Sequence, residues 1–208
     1  MSKTLSELSQ DLMQDEGKVH LIYAFNGTGK TRLSNEFNKL VQSSTSIDEN
    51  REIIYYNSYT EDIFYWSNDS QTPILNIYKN KFIDWINNTL DEDEKEEITL
   101  NFQRYINNNK LSPNINKDFS EVLFYYASGD TQAEEKIKIS KGEESNFIWS
   151  IFYTILDKIR ISYEESDGRF ESIEYIFIDD PVSSLDDNHL IELAIDLAKI
   201  IKIIKSKV

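Results

Sequence analysis

The chain has 208 residues, 22 Lys and Arg against 37 Asp and Glu, a net charge of -15 and no cysteine. That length suits one large domain, or one domain with a substantial insertion, around a sizeable core. The acidity excludes nucleic-acid binding through the whole surface, which draws its affinity from phosphate neutralisation. The missing thiols exclude disulfides, thiol catalysis and zinc–thiolate sites.

Residues 3–15 predict a short helix with Leu5, Leu8 and Leu12 on one side. The first 18 residues lack an apolar core and contain Asp11, Asp15 and Glu16, so they do not read as a signal peptide. Val19–Phe25 is an apolar run feeding a Gly-rich turn, which predicts a strand ending in a loop. Thr31–Gln42 follows with Leu33, Phe37 and Leu40 at helical spacing. Glu52–Tyr59 is rich in β-formers and predicts a second strand.

Lys79–Leu90 reads as a helix, and the acidic run Asp91–Glu97 as a solvated helix start or loop. Asn-rich stretches with helical segments continue to Asp130, so residues 60–135 are expected to form a helical insertion between core halves 1–59 and 136–208. Glu143–Arg160 predicts an amphipathic helix with Ile148, Phe152, Ile155, Leu156 and Ile159 on one face. Ile161–Ser172 is polar and reads as an exposed loop, and Tyr175–Ile178 as a buried strand delivering carboxylates at its end. A last helix is expected from Asn188 to about Lys205, with Lys199, Lys202 and Lys205 toward its negative end. Charges at Glu192, Asp196, Lys199 and Lys202 exclude a membrane span there. Together these elements predict an α/β fold, and the lack of cysteine fits the cytoplasm.

Three segments carry chemistry. In Ala24-Phe25-Asn26-Gly27-Thr28-Gly29-Lys30-Thr31, glycines let backbone N–H groups approach phosphates at a helix start. Asn26, Gly27, Thr28, Gly29, Lys30, Thr31 and Arg32 are the expected nucleotide contacts; Lys30 reaches the outer phosphates and Thr31 ligates Mg²⁺. Ala24 replaces the glycine that usually opens this pattern. Downstream, Asp179 is the expected metal-side acid and Asp180 the carboxylate that orients the attacking water. The turn Pro181-Val182-Ser183-Ser184-Leu185-Asp186 follows. Between these lies Ile139-Ser140-Lys141-Gly142-Glu143, whose other reading is a capping box of Ser140 with Glu143.

Ser140, Lys141, Gly142 and Glu143 resemble the signature of ABC-type ATPases, with Lys141 and Glu143 as departures. The fold this implies is an ABC-type P-loop NTPase core. In that class the signature serine and helix start touch the γ-phosphate held by a second subunit, and Ser184, Leu185 and Asp186 stand at the D-loop. The run Asp179–Asn188, the Ser140–Ser145 segment and Tyr55–Phe64 further resemble the N-terminal ATPase domain of bacterial anticodon nucleases of the PrrC and RloC type. The resemblance spans nearly the whole chain.

It implies a domain that binds ATP, GTP or a dNTP with Mg²⁺ and regulates a nuclease cutting tRNA at the anticodon, in anti-phage defence, often beside a restriction-modification system. It implies as partners a second copy across a nucleotide sandwich, or a C-terminal nuclease half. It implies neither a membrane partner nor strong nucleic-acid binding by this chain. The family pattern continues into a further strand with a switch histidine; His189 lies too close to Asp186 and His20 precedes the loop, so the domain is expected to be C-terminally truncated. Gln71 and Asn57 are candidates for the glutamine-loop residue.

Two alternatives stand beside this reading: a nucleotide-binding module without turnover, and an ABC ATPase of DNA repair or maintenance. The latter carries a long coiled coil, for which residues 60–135 are too short and too Asn-rich. Nothing indicates the membrane-coupling partner of a transporter.

Overall fold

The computed structural model describes residues 3–23, 25, 27–44, 52–56, 63–67, 72–127, 134–179 and 187–208. Two compact units emerge: Met1–Asn57 with Ile159–Pro181 and Leu193–Val208, and Ser58–Lys158 with Val182–Glu192.

The first unit opens with α1 (Leu5–Gln14), started by a capping box in which Thr4 and Glu7 satisfy each other's N–H groups. Helix α2 (Lys30–Ser44) lies against α1 and follows the glycine loop directly. Strands β1 (Glu52–Tyr56) and β7 (Ile173–Ile178) pair in parallel, with Tyr56 opposite Ile178. Phe37 and Val41 of α2 pack on Tyr175, with Leu12, Met13, Ile53 and Phe177 around them. The Phe37 ring meets Tyr175 edge-on at 5.0 Å, the geometry favoured by the ring quadrupoles. This contact sets α2 across β7, so the start of α2 comes beside the C-terminal end of that strand.

Among the described residues of Val19–Phe25 the expected strand does not form. Lys207 bridges Tyr175 in parallel, and Val208 exchanges backbone hydrogen bonds with Lys18 and His20, both at 2.8 Å. Beyond that pairing the run leaves the ladder: Leu21 is 93% and Tyr23 91% exposed. β-formers without a partner strand stay extended and wet, because a strand is stabilised by its neighbours.

The second unit corrects the expectation of a helical insertion. Residues 60–135 contain β2 (Phe64–Trp66), β3 (Leu75–Ile77), α3 (Lys81–Thr89), α4 (Glu92–Tyr105), β4 (Leu111–Ile115), β5 (Glu121–Ala127) and the first half of β6 (Glu134–Ile137). The strands form an antiparallel sheet in the order β2-β3-β5-β4, with β6 also on β5. Buried and less buried residues alternate along β4 and β5, as half-buried strands require. The acidic run serves as a helix start: Asp91 and Glu94 form a capping box, and Glu92, Asp93 and Glu94 occupy the positive end of α4.

Helix α5 (Lys141–Glu165) is longer than expected and takes in the front of the predicted 161–172 loop. In the second unit it brings Phe147 to Phe124 (5.2 Å) and Phe102 (5.7 Å), a knot of fully buried rings. Helix α6 (Asp187–Ile203) closes the order of described elements.

Candidate functional site

Gly27 and Gly29 adopt φ of +80° and +102°, a region that side-chain-bearing residues rarely enter. A Cβ on Gly27 would meet nothing within 4 Å, so this glycine serves the turn rather than the packing. The Thr28 N–H and hydroxyl both donate to the Phe25 carbonyl, at 3.3 and 2.6 Å. Leu33 N–H then donates to Gly29 O at 2.9 Å, which commits the chain to helix.

The start of α2 differs from those of α1 and α4. Glu7 lies in the first turn of α1, and three acids fill that of α4. The first turn of α2 has no acid and begins Lys30-Thr31-Arg32. Two cations at the positive end of a helix oppose its dipole, at a cost of some tenths of a kcal/mol each. The N–H groups and dipole of such an end suit an anion.

Opposite it stands the end of β7. Asp179 N–H donates to Tyr56 O at 2.8 Å, extending the β1–β7 pairing by one residue. Asp179 is 9% exposed, and its carboxylate accepts a hydrogen bond from the Thr31 hydroxyl at 3.0 Å. Residues 148 apart in sequence thus meet side chain to side chain. A carboxylate and a hydroxyl side by side are hard oxygen donors, and Mg²⁺ is typically held by one or two such groups plus phosphate oxygens and water. The pair fits that ion. Lys30 and Thr31 are half-buried, while Arg32 is exposed.

Beneath this pair is a contact that motif reading missed. The Ser34 hydroxyl donates to Thr31 O at 2.8 Å and also shares a hydrogen bond with the Tyr55 hydroxyl. Tyr55 in turn packs on Phe177 at 5.5 Å. This chain braces the first turn of α2 from β1. The available signal was a serine one turn beyond Lys30 in an otherwise apolar stripe.

Ser140–Glu143 belongs to the second unit and forms the capping box. Ser140 N–H and Oγ donate to Glu143 Oε2 at 2.8 and 2.7 Å, and Glu143 N–H returns to Ser140 Oγ at 3.3 Å. Lys141 and Gly142 are exposed, and Lys141 reaches Glu144 at 2.7 Å. Trp66 Nε1 donates to the other Glu144 oxygen at 2.9 Å, which fixes this buried carboxylate under the helix start.

Ala24, Asn26, Asn57, Gln71, Asp180 and the turn with Ser184, Leu185 and Asp186 lie outside the described residues. Among the described residues no cluster of three or more His, Cys, Asp or Glu could hold a metal by itself. Nor is any helix long and apolar enough to cross a membrane.

Fold and site define an α/β protein in which a glycine loop and a cationic helix start face a buried carboxylate. The chain is 44% identical over 239 residues to a protein named Anticodon nuclease from Escherichia coli. That match takes in 97% of this chain and 60% of the relative, so the chain spans about 60% of its relative's length. The likeness to that protein is spread over nearly all of this chain. No protein-family model matches the chain, and no solved structure does.

Proposed function

We propose that this chain is the nucleoside-triphosphate-binding part of an anticodon nuclease, an ABC-class NTPase region that governs when a nuclease acts on tRNA in anti-phage defence. The contact of Thr31 with Asp179 at 3.0 Å carries the reading. It joins the start of the glycine-loop helix to the acid at the end of β7, the two halves of a nucleotide–Mg²⁺ site. Backbone N–H groups of the loop hold phosphate, Lys30 neutralises it, and Thr31 and Asp179 hold the ion. Asp180 orients the water for slow hydrolysis of ATP, GTP or a dNTP. Ser140 serves the nucleotide of a second copy. A nuclease half and a restriction-modification complex are the partners this function calls for.

The test is thermal unfolding with Mg²⁺ and each nucleotide. At a hundredfold excess over Kd, binding adds about 2.7 kcal/mol. The shift is expected in the wild type and absent in Lys30→Ala; no shift with any nucleotide refutes the reading. Asp180→Asn is expected to keep the shift and lose phosphate release, and equal turnover in that variant removes the role given to Asp180.

One observation favours a second reading, binding without turnover. The Ser140 hydroxyl proton is committed to Glu143 at 2.7 Å rather than free for a phosphate. Phosphate release that rises more than linearly with protein concentration supports the sandwich. Saturable binding with no release supports the second reading.

A further inference from the structure

The antiparallel sheet of the second unit has two unlike faces. The inner one buries Phe64, Leu75, Ile77, Val122 and Phe124. Alternation along the strands puts Tyr65, Asn76, Tyr125 and Lys136 on the other face. Register fixes the rows: Tyr65 pairs with Asn76 and Asn76 with Glu121, while Ser112 pairs with Tyr125 and Tyr125 with Lys136.

This outer face carries rings where a sheet face turned to water usually carries short polar groups. Tyr65 is 41% and Tyr78 56% exposed, and their rings stack at 4.3 Å with 25° between planes. Across the sheet, Lys136 Nζ stands 5.9 Å from the Tyr125 ring centre. Lys110 is exposed one position before β4, its carbonyl accepting from Ala127 N–H, at the same end as Tyr125. Tyr125 lies four residues along β5 from Glu121 and two strands across from Tyr65, so the two aromatic positions are about 16 Å apart.

We propose that this face binds an unpaired stretch of RNA. Bases stack on the Tyr65–Tyr78 pair and on Tyr125, and Lys136 and Lys110 meet the phosphates at the Tyr125 end. A sheet with helices on one face and aromatic side chains on the other is how several single-strand readers stack two or three bases. Asn76 stands beside Tyr65, Ser112 and Lys136 stand beside Tyr125, and Leu123 is the apolar residue between Glu121 and Tyr125, so the face offers flat platforms broken by polar groups rather than the continuous apolar patch a protein partner needs. Register places acidic residues at both ends of the face, Glu121 opposite Asn76 and Glu134 opposite Ala127, so the cations add little and the rings supply most of the affinity. In a chain of net charge -15, binding has to rest on stacking with a few placed cations. The proposal rests on the anticodon-nuclease reading, since an anticodon presents its bases unpaired.

The experiment is fluorescence anisotropy of the full chain with a short labelled single-stranded oligoribonucleotide at low salt. Saturable binding is expected. Tyr65→Ala combined with Tyr78→Ala, and Tyr125→Ala alone, each weaken it about five- to hundredfold, while Tyr65→Phe retains it. Lys136→Gln lowers the salt slope by about one. Unchanged melting curves show that the variants fold.

No saturable change up to about 100 µM, alanine variants that bind like the wild type, or equal affinity for the RNA duplex overturns the proposal. So does tighter binding of the matching DNA strand. The Lys30-dependent nucleotide shift is read on the same samples. RNA binding lost while that shift persists removes the platform alone, and the reverse removes the nucleotide reading alone.

Discussion

A hydroxyl and a carboxylate at 3.0 Å, Thr31 and Asp179, concentrate the chemistry of the first unit in two side chains. The buried carboxylate accepts from a threonine whose neighbours, Lys30 and Arg32, are poor choices for a helix start. Local preference and sequence disagree there, as expected where a site outranks stability. Thr31→Ala is therefore expected to keep the fold and lose the Mg²⁺-dependent part of the nucleotide shift, measured by melting with and without the ion. Gly27→Ala meets no neighbour, so its penalty is conformational, about 1–2 kcal/mol for a left-handed residue bearing a side chain. Calorimetry without nucleotide reads that penalty directly. That the two segments meet was legible in the sequence, because a glycine turn before a helix and an acid after an apolar strand follow spacing rules. The Ser34–Tyr55 brace was not, because two hydroxyls from separate elements carry no spacing rule.

At the scale of elements, α2 is held to the parallel strands by aromatic contacts. Phe37→Ala removes the ring on Tyr175 and should cost about 3–5 kcal/mol, seen as a lowered denaturant midpoint. It should also weaken nucleotide binding, since α2 carries Lys30 and Thr31. Where α5 ends, Asp167 accepts from the Ser162 hydroxyl and from Arg169 N–H. The Ser162 bond first, then Arg169, hold its carboxyl below the usual aspartate range.

A lowered folded value means stabilisation that is complete above the unfolded pKa and lost as pH falls through the folded one. Asp167→Ala should thus unfold more readily than wild type at neutral pH and match it in strong acid, in melts across that window. The helices α1, α2 and α3 were readable in the sequence, α1 and α2 from their apolar periodicity. The short strands β2 and β3 were not, since three residues are too few for an alternating pattern to show. The apolar run 19–25 was misread because hydrophobic character cannot reveal a missing ladder partner.

At the scale of the molecule, the unit boundaries place the two proposed binding surfaces apart in the chain. Lys30, Thr31 and Asp179 belong to the first unit, whereas the Tyr65–Tyr125 face and Ser140 belong to the second. Trp66, Trp85 and Trp149 are the three tryptophans of the sequence, and all fall within Ser58–Lys158 of the second unit. Indole emission is thus a private optical channel of the unit that lacks the glycine loop. A nucleotide seated on Lys30 has no indole in its own unit to perturb. If a second copy's Ser140 closes over that nucleotide, emission should change on adding nucleotide, and the change should grow with protein concentration. Emission that ignores nucleotide while the melting shift persists would place the ligand wholly within one unit. The chain already carries the probe that tells these cases apart, with no label and no substitution.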